Sequence, residues 1–359
     1  MDLSKAFDLI NHSILKHKLE HYGFRGIFLD LIMNFVQNRQ YFVSANGYKS
    51  YTKTVNIGVP QGSILGPLLF LLYINDMKNS SDKLHFSQFA DDSTATYSAS
   101  NLKTCQTTIR NEFIKVLDWL NANKLIINLN KTNLMVFTNK TRRADISIDI
   151  NNHIITEIKE CKFLGIMLDN KLNWHSHIDY ISNKISKSVA ILRLLKYMFP
   201  KHILKTLYLT LVYPYIIYCN IIWGSASKTA IRPLILLQKK CLRIICKANY
   251  LDHTDPLFSE TKLLKVTQIF KLNCAQFIYK CYNTNLFPDF RSKLVLQNEI
   301  HNYNTRGNTL IRSPYERLVL CRNSFFYTGI SIWNNIPPEI KDAKHIHYFR
   351  RKMSQLFLC

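Results

Sequence analysis

Phe89-Ala90-Asp91-Asp92 sets two carboxylates side by side between two strand-like runs. Leu84 to Phe89 and Ser93 to Tyr97 alternate apolar and polar residues, the period of a half-buried strand. The spacing therefore predicts a hairpin with the acidic pair at its tip. Adjacent carboxylates repel each other, and a divalent cation offsets the repulsion. A solvated Asp-Asp turn is the plainer alternative. The rest of the chain decides between them.

Two further stretches bear on the pair. Asp2-Leu3-Ser4-Lys5-Ala6-Phe7-Asp8 opens the chain with a second set of carboxylates. Between it and the hairpin lies Gly58-Val59-Pro60-Gln61-Gly62-Ser63-Ile64-Leu65-Gly66-Pro67, which holds three of the chain's ten glycines. Glycine permits positive φ and close backbone approach. Such a loop before a helix could set its amides against a sugar-phosphate strand. An ordinary strand-to-helix turn is the simpler reading of the loop alone.

Around these pieces the pattern is mixed. Residues 12–22 and 26–37 read as short helices, and Tyr41 to Ala45 with Thr52 to Ile57 as a strand pair about an Asn46-Gly47 turn. Leu68 to Met77 is dense enough in apolar residues for a helix. Asn101 can cap a helix reaching Asn123, with Ile109, Phe113, Val116, Leu117 and Leu120 on one face. Met135-Val136-Phe137 and Phe163-Leu164-Gly165-Ile166 read as short strands. Beyond residue 171 helical spacing takes over. Ile178, Ile181, Ile185, Val189, Leu192 and Leu195 form one stripe, and residues 228–247 and 262–282 continue in that style.

The chain has 359 residues, enough for about two domains, and its 47% hydrophobic content excludes a disordered chain. Its net charge of +23 favours polyanionic partners, nucleic acid first. Lys184, Lys187, Arg193 and Lys196, then Arg232, Lys239, Lys240, Arg243 and Lys247, could meet phosphates or simply face solvent. Nine cysteines without a C-x-x-C pair are read as reduced thiols of an intracellular protein. His175-x-His177 has no nearby cysteine, so a surface or groove-lining place is expected rather than zinc. Thr206 to Ser227 is uncharged and long enough to span a bilayer, yet it carries Pro214, Asn220 and four tyrosines, so a buried element is expected and no membrane partner. Neither a phosphate-binding G-x-x-x-x-G-K-[ST] loop nor a nucleophile elbow is present.

Taken together, Asp2 to Asp8, Gly58 to Ser63 and Phe89 to Asp92 resemble the reverse transcriptases of non-LTR retrotransposons, and most of all the jockey-like LINE elements. Asn130-Lys131-Thr132 is similar to the lysine segment that follows the active site in that family. Phe163 to Asp169 with Leu172-Asn173-Trp174 is similar to the segment leading into the thumb. Weaker likeness runs through Leu237-Gln238-Lys239-Lys240 and Trp333-Asn334-Asn335-Ile336-Pro337.

The resemblance implies an α+β fold: a partial right-hand polymerase palm, an antiparallel sheet with helices, over 1–140. A strand-containing connection would occupy 141–171, a helical thumb-like region 172–249, and a basic, helical carboxy-terminal region 250–359. It implies RNA-directed DNA synthesis by two-metal nucleotidyl transfer to a primer 3′-hydroxyl, with RNA template, DNA primer and deoxynucleoside triphosphates as partners. Asp2, Asp91 and Asp92 would hold two Mg²⁺ ions, with Mn²⁺ as the alternative. Lys131 would neutralise developing phosphate charge. Phe7 would block a ribose 2′-hydroxyl, a core aromatic being the alternative, and Gly58, Pro60, Gln61 and Gly62 would meet nucleotide or template. Asp8 is read as structural, a helix cap ahead of Asn11. Nucleus and cytoplasm follow by analogy, without a targeting signal.

One departure from the family pattern stands out. Only Met1 precedes Asp2, where family members carry an apolar strand. The chain is therefore expected to be truncated at its amino end, lacking fingers and endonuclease, with no RNase H-like segment at the other. A lost strand forfeits about 1.5–3 kcal/mol per buried side chain, against roughly 5–15 kcal/mol for a whole domain. The chain as given is expected to be inactive or nearly so. A non-catalytic nucleic-acid-binding remnant is the alternative reading.

Overall fold

A computed structural model describes residues 1–138, 146–150, 153–284, 286–299, 310–315 and 317–358. The expected palm boundary near residue 140 and Cys359 lie outside the described residues. The chain divides into two units, Met1–Lys159 and Glu160–Cys359.

The first unit alternates helices with short antiparallel strand pairs. β1 (Leu3–Ser4) leads through a turn into α1 (His12–His21) and α2 (Gly26–Val36). Asn11, not Asp8, caps α1: its Oδ1 accepts the Ile14 amide at 3.2 Å. Asp8 sits too early, inside the turn that precedes the helix. A ribbon follows, β2 (Arg39–Tyr41), β3 (Ser44–Ala45), β4 (Tyr48–Lys49) and β5 (Lys53–Val55), folded at Asn46-Gly47. Both turn residues have positive φ, as the tight hairpin turn requires.

α3 (Leu65–Ile74), β6 (His85–Phe89), β7 (Asp92–Thr96) and α4 (Leu102–Ala122) come next. Asn101 caps α4 by accepting the Lys103 amide at 3.0 Å. β8 (Ile126–Ile127), β9 (Ser147–Ile150) and β10 (His153–Thr156) complete the unit. Each strand pairs with one partner: β1 with β8, β2 with β5, β3 with β4, β6 with β7, and β9 with β10. Leu15 and Leu19 of α1, Leu69, Phe70 and Tyr73 of α3, and Val116 and Leu120 of α4 form the core beneath them.

The strand expected at Met135-Val136-Phe137 does not form. Leu134 makes one isolated bridge to Glu157, and no ladder continues. Leu134 and Val136 pack on the core from an irregular segment, so their apolar character serves burial without strand pairing.

In the second unit β11 (Glu160–Phe163) and β12 (Ile166–Asp169) form a hairpin. Leu164-Gly165, read as strand interior, is its turn: both residues have positive φ, which strand geometry forbids. Helices then dominate: α5 (His175–Leu195), α6 (Lys201–Leu211), α7 (Tyr213–Ile217), α8 (Asn220–Trp223) and α9 (Lys228–Ile245). The apolar stripe of α5 is buried from Ile178 to Leu192 against Leu204, Tyr208, Leu234 and Cys241. α10 (Asp255–Thr261), α11 (Val266–Asn283), α12 (Pro288–Arg291), α13 (Val319–Arg322), α14 (Phe325–Asn334), α15 (Pro338–Lys341) and α16 (Ile346–Leu358) follow. Trp333, Phe349 and Tyr279 stack in a second core.

Thr206 to Ser227 is divided among α6, α7 and α8, with Pro214 opening α7 and Cys219 at positive φ before α8. Among the described residues no helix is long and apolar enough to cross a membrane. His177 corrects another expectation. It is buried, its ring lies 5.5 Å from that of Trp223, and Nδ1 accepts the Met167 amide at 3.3 Å. Burial pushes its imidazole down to about 4. The position continues the inward stripe of α5, so packing and not surface exposure decides its place. Gln238, from the weakly similar Leu237 to Lys240 stretch, is buried with its amide satisfied. It donates to the Tyr208 hydroxyl and Leu264 carbonyl and accepts the Val266 amide, each at 2.9 Å.

Candidate active site

The β6–β7 register pairs Phe89 with Asp92 and leaves Ala90 and Asp91 as a two-residue turn. Ala90 takes φ 50°, a left-handed conformation that costs a residue with a Cβ about 1–2 kcal/mol. Asp92 is exposed, Asp91 half-buried and Ser93 fully buried. Alternation along β7 thus turns Ser93 inward and leaves the Asp92 carboxylate in solvent. The Ser93 hydroxyl has no hydrogen-bond partner among the described residues.

Backbone contacts place the amino-terminal segment beside this tip. The Met1 amino group donates to the Ser93 carbonyl at 2.8 Å, and the Ser93 amide donates to the Met1 carbonyl at 3.4 Å. Asp2 and Asp92 each stand one residue along from that pair. On its other side the segment joins β8: Leu3 pairs with Ile127, and the Asn128 amide donates to the Asp2 carbonyl at 2.8 Å. Lys131 follows β8 in a short 3₁₀ turn, and its Nζ lies 3.6 Å from Asp2 Oδ2. The structure therefore brings Asp2, Lys131 and the hairpin backbone into one neighbourhood.

Carboxylate oxygens on Asp2, Asp91 and Asp92 are the hard donors that Mg²⁺ and Mn²⁺ take. The Lys131 ammonium beside Asp2 shows that this carboxylate already draws a cation. By donor chemistry the residues fit a divalent ion. They are not gathered around one point: among the described residues no group of three or more His, Cys, Asp or Glu could hold a metal. Carboxylates without a cation between them repel each other.

The glycine-rich loop is clamped to the turn after β1. The Gly58 amide donates to the Ile10 carbonyl at 2.7 Å and the Val59 amide to the Phe7 carbonyl at 2.9 Å. His12 Nε2 lies 2.8 Å from the Gly58 carbonyl oxygen. A Cβ on Gly58 would stand 2.7 Å from the Asp8 carbonyl oxygen, and its φ of 83° also favours glycine. Gln61 donates to Asp8 Oδ1 at 2.9 Å, tying loop to turn through side chains. Pro60 accepts the Ser63 hydroxyl at 2.7 Å, and Gly62 has open space around it. Phe7 is half-buried with its ring 4.7 Å from that of Phe70. Backbone and side-chain hydrogen bonds thus join the loop to the segment that follows Asp2.

His12 was not singled out from the sequence, where it looks like any residue opening a helix. Lys18 was missed too. Its Nζ contacts Asp76 Oδ1 and the Tyr73 carbonyl at 2.6 Å each, and burial lowers its pKa despite the carboxylate. Only the fold brings α1 and the end of α3 together.

Residues 1–168 match the family of reverse transcriptases (RNA-dependent DNA polymerases). The chain is similar to the RNA-directed DNA polymerase from the mobile element jockey of Drosophila melanogaster, at 26% identity over 74% of this chain and 30% of that protein. It is 28% identical to the probable RNA-directed DNA polymerase from transposon X-element of Drosophila melanogaster, again over 74% of this chain and 30% of the relative. A third relative, from transposon BS of the same organism, is 26% identical over 75% of this chain and 31% of its own length. The chain spans about 30% of the length of the curated relatives it matches. The resemblance to polymerases of non-LTR retrotransposons is borne out by these matches.

Proposed function

We propose that the reverse transcriptase segment at residues 1–168 joins deoxynucleotides to a primer 3′-hydroxyl on an RNA template. The observation that carries this reading is the backbone exchange between Met1 and Ser93, which holds the Asp2 segment against the hairpin bearing Asp91 and Asp92. Two divalent ions, when bound, would lower the pKa of the primer hydroxyl and neutralise charge on the triphosphate. Asp2, Asp91 and Asp92 hold the positions for them, Asp2 and Asp91 as the principal ligands. Lys131, mostly exposed and already beside Asp2, faces the charge that develops on the leaving phosphates. Phe7, backed by Phe70, limits room at the sugar. Gly58, Pro60, Gln61 and Gly62 shape the wall where template and nucleotide lie, with Gln61 held by Asp8.

In this reading 1–140 act as palm, 141–171 as connection, 172–249 as thumb and 250–359 as a basic carboxy-terminal region. Work in nucleus and cytoplasm belongs to the same proposal. Primer extension on an RNA template with Mg²⁺ and deoxynucleotides tests it. At most weak extension is expected of this chain, and Asp91→Ala should reduce it at least about a hundredfold, because misplaced ligands cost that much. The ungathered carboxylates favour a second reading, a nucleic-acid binder without synthesis. Tight template binding without extension, indifferent to Asp91→Ala, would select it.

A further inference from the structure

Every residue from Gln40 to Thr54 is solvent-exposed. The ribbon of β2 to β5 therefore buries neither face. Two-stranded ribbons are marginal in water unless something packs on them. This one is also rich in large apolar side chains. Tyr48 is 83% and Tyr51 95% exposed, and Tyr41, Phe42 and Val43 are about half exposed or more.

Its charge is one-sided. From Leu31 to Asn75 the chain has no Asp or Glu, and Arg39, Lys49 and Lys53 are its charged residues. Lys49 Nζ lies 5.1 Å from the centroid of the Phe42 ring, so a cation and an aromatic share one face. Tyr48, next to Lys49 in the same strand, turns to the other face. The pairing also slips by one residue. Arg39 to Tyr41 face Val55 to Lys53, whereas Ser44 and Ala45 face Lys49 and Tyr48. One extra residue lies on the returning strand between these pairs, and such a bulge increases the local twist.

Rings on both faces, cations between them and no carboxylate make a stacking platform with an electrostatic track. A flat lipid surface would cover one face of the ribbon only. A flexible polyanion can wrap both. We propose that residues 40–54 bind single-stranded polynucleotide, with bases stacking on Phe42, Tyr48 and Tyr51 and phosphates meeting Lys49 and Lys53. The proposal shares the nucleic-acid partner of the proposed function and does not depend on synthesis.

The test is fluorescence anisotropy of the full chain with labelled oligo(U), oligo(dT) and a duplex, each about 16 nucleotides long. Tyr48→Ala with Tyr51→Ala should weaken binding to both single strands by about tenfold or more and leave the duplex unaffected. Lys49→Ala with Lys53→Ala should make the salt dependence shallower by about 1.4 log units per log unit of salt. Equal loss for both strands identifies backbone and base stacking as the shared chemistry; loss for one identifies the sugar it selects. The substituted side chains are exposed, and an unchanged unfolding midpoint verifies that the fold is kept. Unaltered single-strand affinity in the tyrosine variant, or no single-strand binding by the parent chain, overturns the proposal. Self-association or binding to anionic vesicles that the tyrosine variant loses, with polynucleotide affinity intact, reassigns the ribbon and also overturns it. Ribbon-dependent binding without primer extension would defeat the catalytic reading and leave this one standing.

Discussion

Gly58 concentrates the demands of the site in one residue. An added Cβ would meet the Asp8 backbone at 2.7–3.0 Å, and no flexible side chain is there to yield. Gly58→Ala should cost about 2 kcal/mol or more, from the clash and the positive φ together, measured by urea unfolding. Ser93 offers the opposite case. Its hydroxyl is buried and without a partner among the described residues, so Ser93→Ala should leave stability unchanged or raise it by up to about 1 kcal/mol. A loss above about 1 kcal/mol would mean that the hydroxyl has a partner. At this scale the sequence is legible where a residue type is scarce. Paired aspartates and clustered glycines advertise themselves. Asp8 does not: its carboxylate serves Gln61, 53 residues away, and only the fold makes them neighbours.

Among the elements, the β12–α5 junction depends on Asp169. It is buried, and its carboxylate accepts the amides of Lys171, Asn173 and Trp174 at 3.0–3.2 Å. These contacts hold Leu172 and Trp174 at positive φ. Asp169→Ala should destabilise the second unit by about 2–4 kcal/mol, since bonds to a charged acceptor are the stronger kind and three amides lose their partner; chemical unfolding would measure it. One turn further on, burial depresses the His177 imidazole to about 4. The unfolded chain takes up that proton near pH 6.5 and the folded chain does not, so stability falls as pH drops from about 6.5 to 4, by about 3 kcal/mol at most. The dependence of the melting midpoint on pH in that window should flatten in His177→Gln. α4 follows from its Asn101 cap and apolar stripe, and α5 from its stripe alone. The Leu164-Gly165 turn and the irregular path at Met135 were harder to read. Short apolar runs look alike whether they ladder, turn or simply pack.

For the whole molecule, the excess of basic residues is the property that any partner must answer. A net charge of +23 predicts polynucleotide affinity that falls steeply with salt, by a slope of about −0.7 for each phosphate engaged on a single strand. A flat salt response would contradict it. Charge and the likeness to reverse transcriptases were legible from composition and motif. The spacing of the three carboxylates was not, because among the described residues they are not gathered around one point. Iron-directed cleavage tests most directly the proposal that a bound ion draws them together. Fe²⁺ bound at the proposed magnesium site of the full chain, with added hydrogen peroxide as oxidant and ascorbate to recycle the iron, generates hydroxyl radicals that cut the nearest backbone. Cuts at residues 1–4 and 89–93 together, competed by Mg²⁺ and lost in Asp91→Asn, are the predicted result. Cuts at one of these segments without the other, or cuts indifferent to Asp91→Asn, would contradict the account.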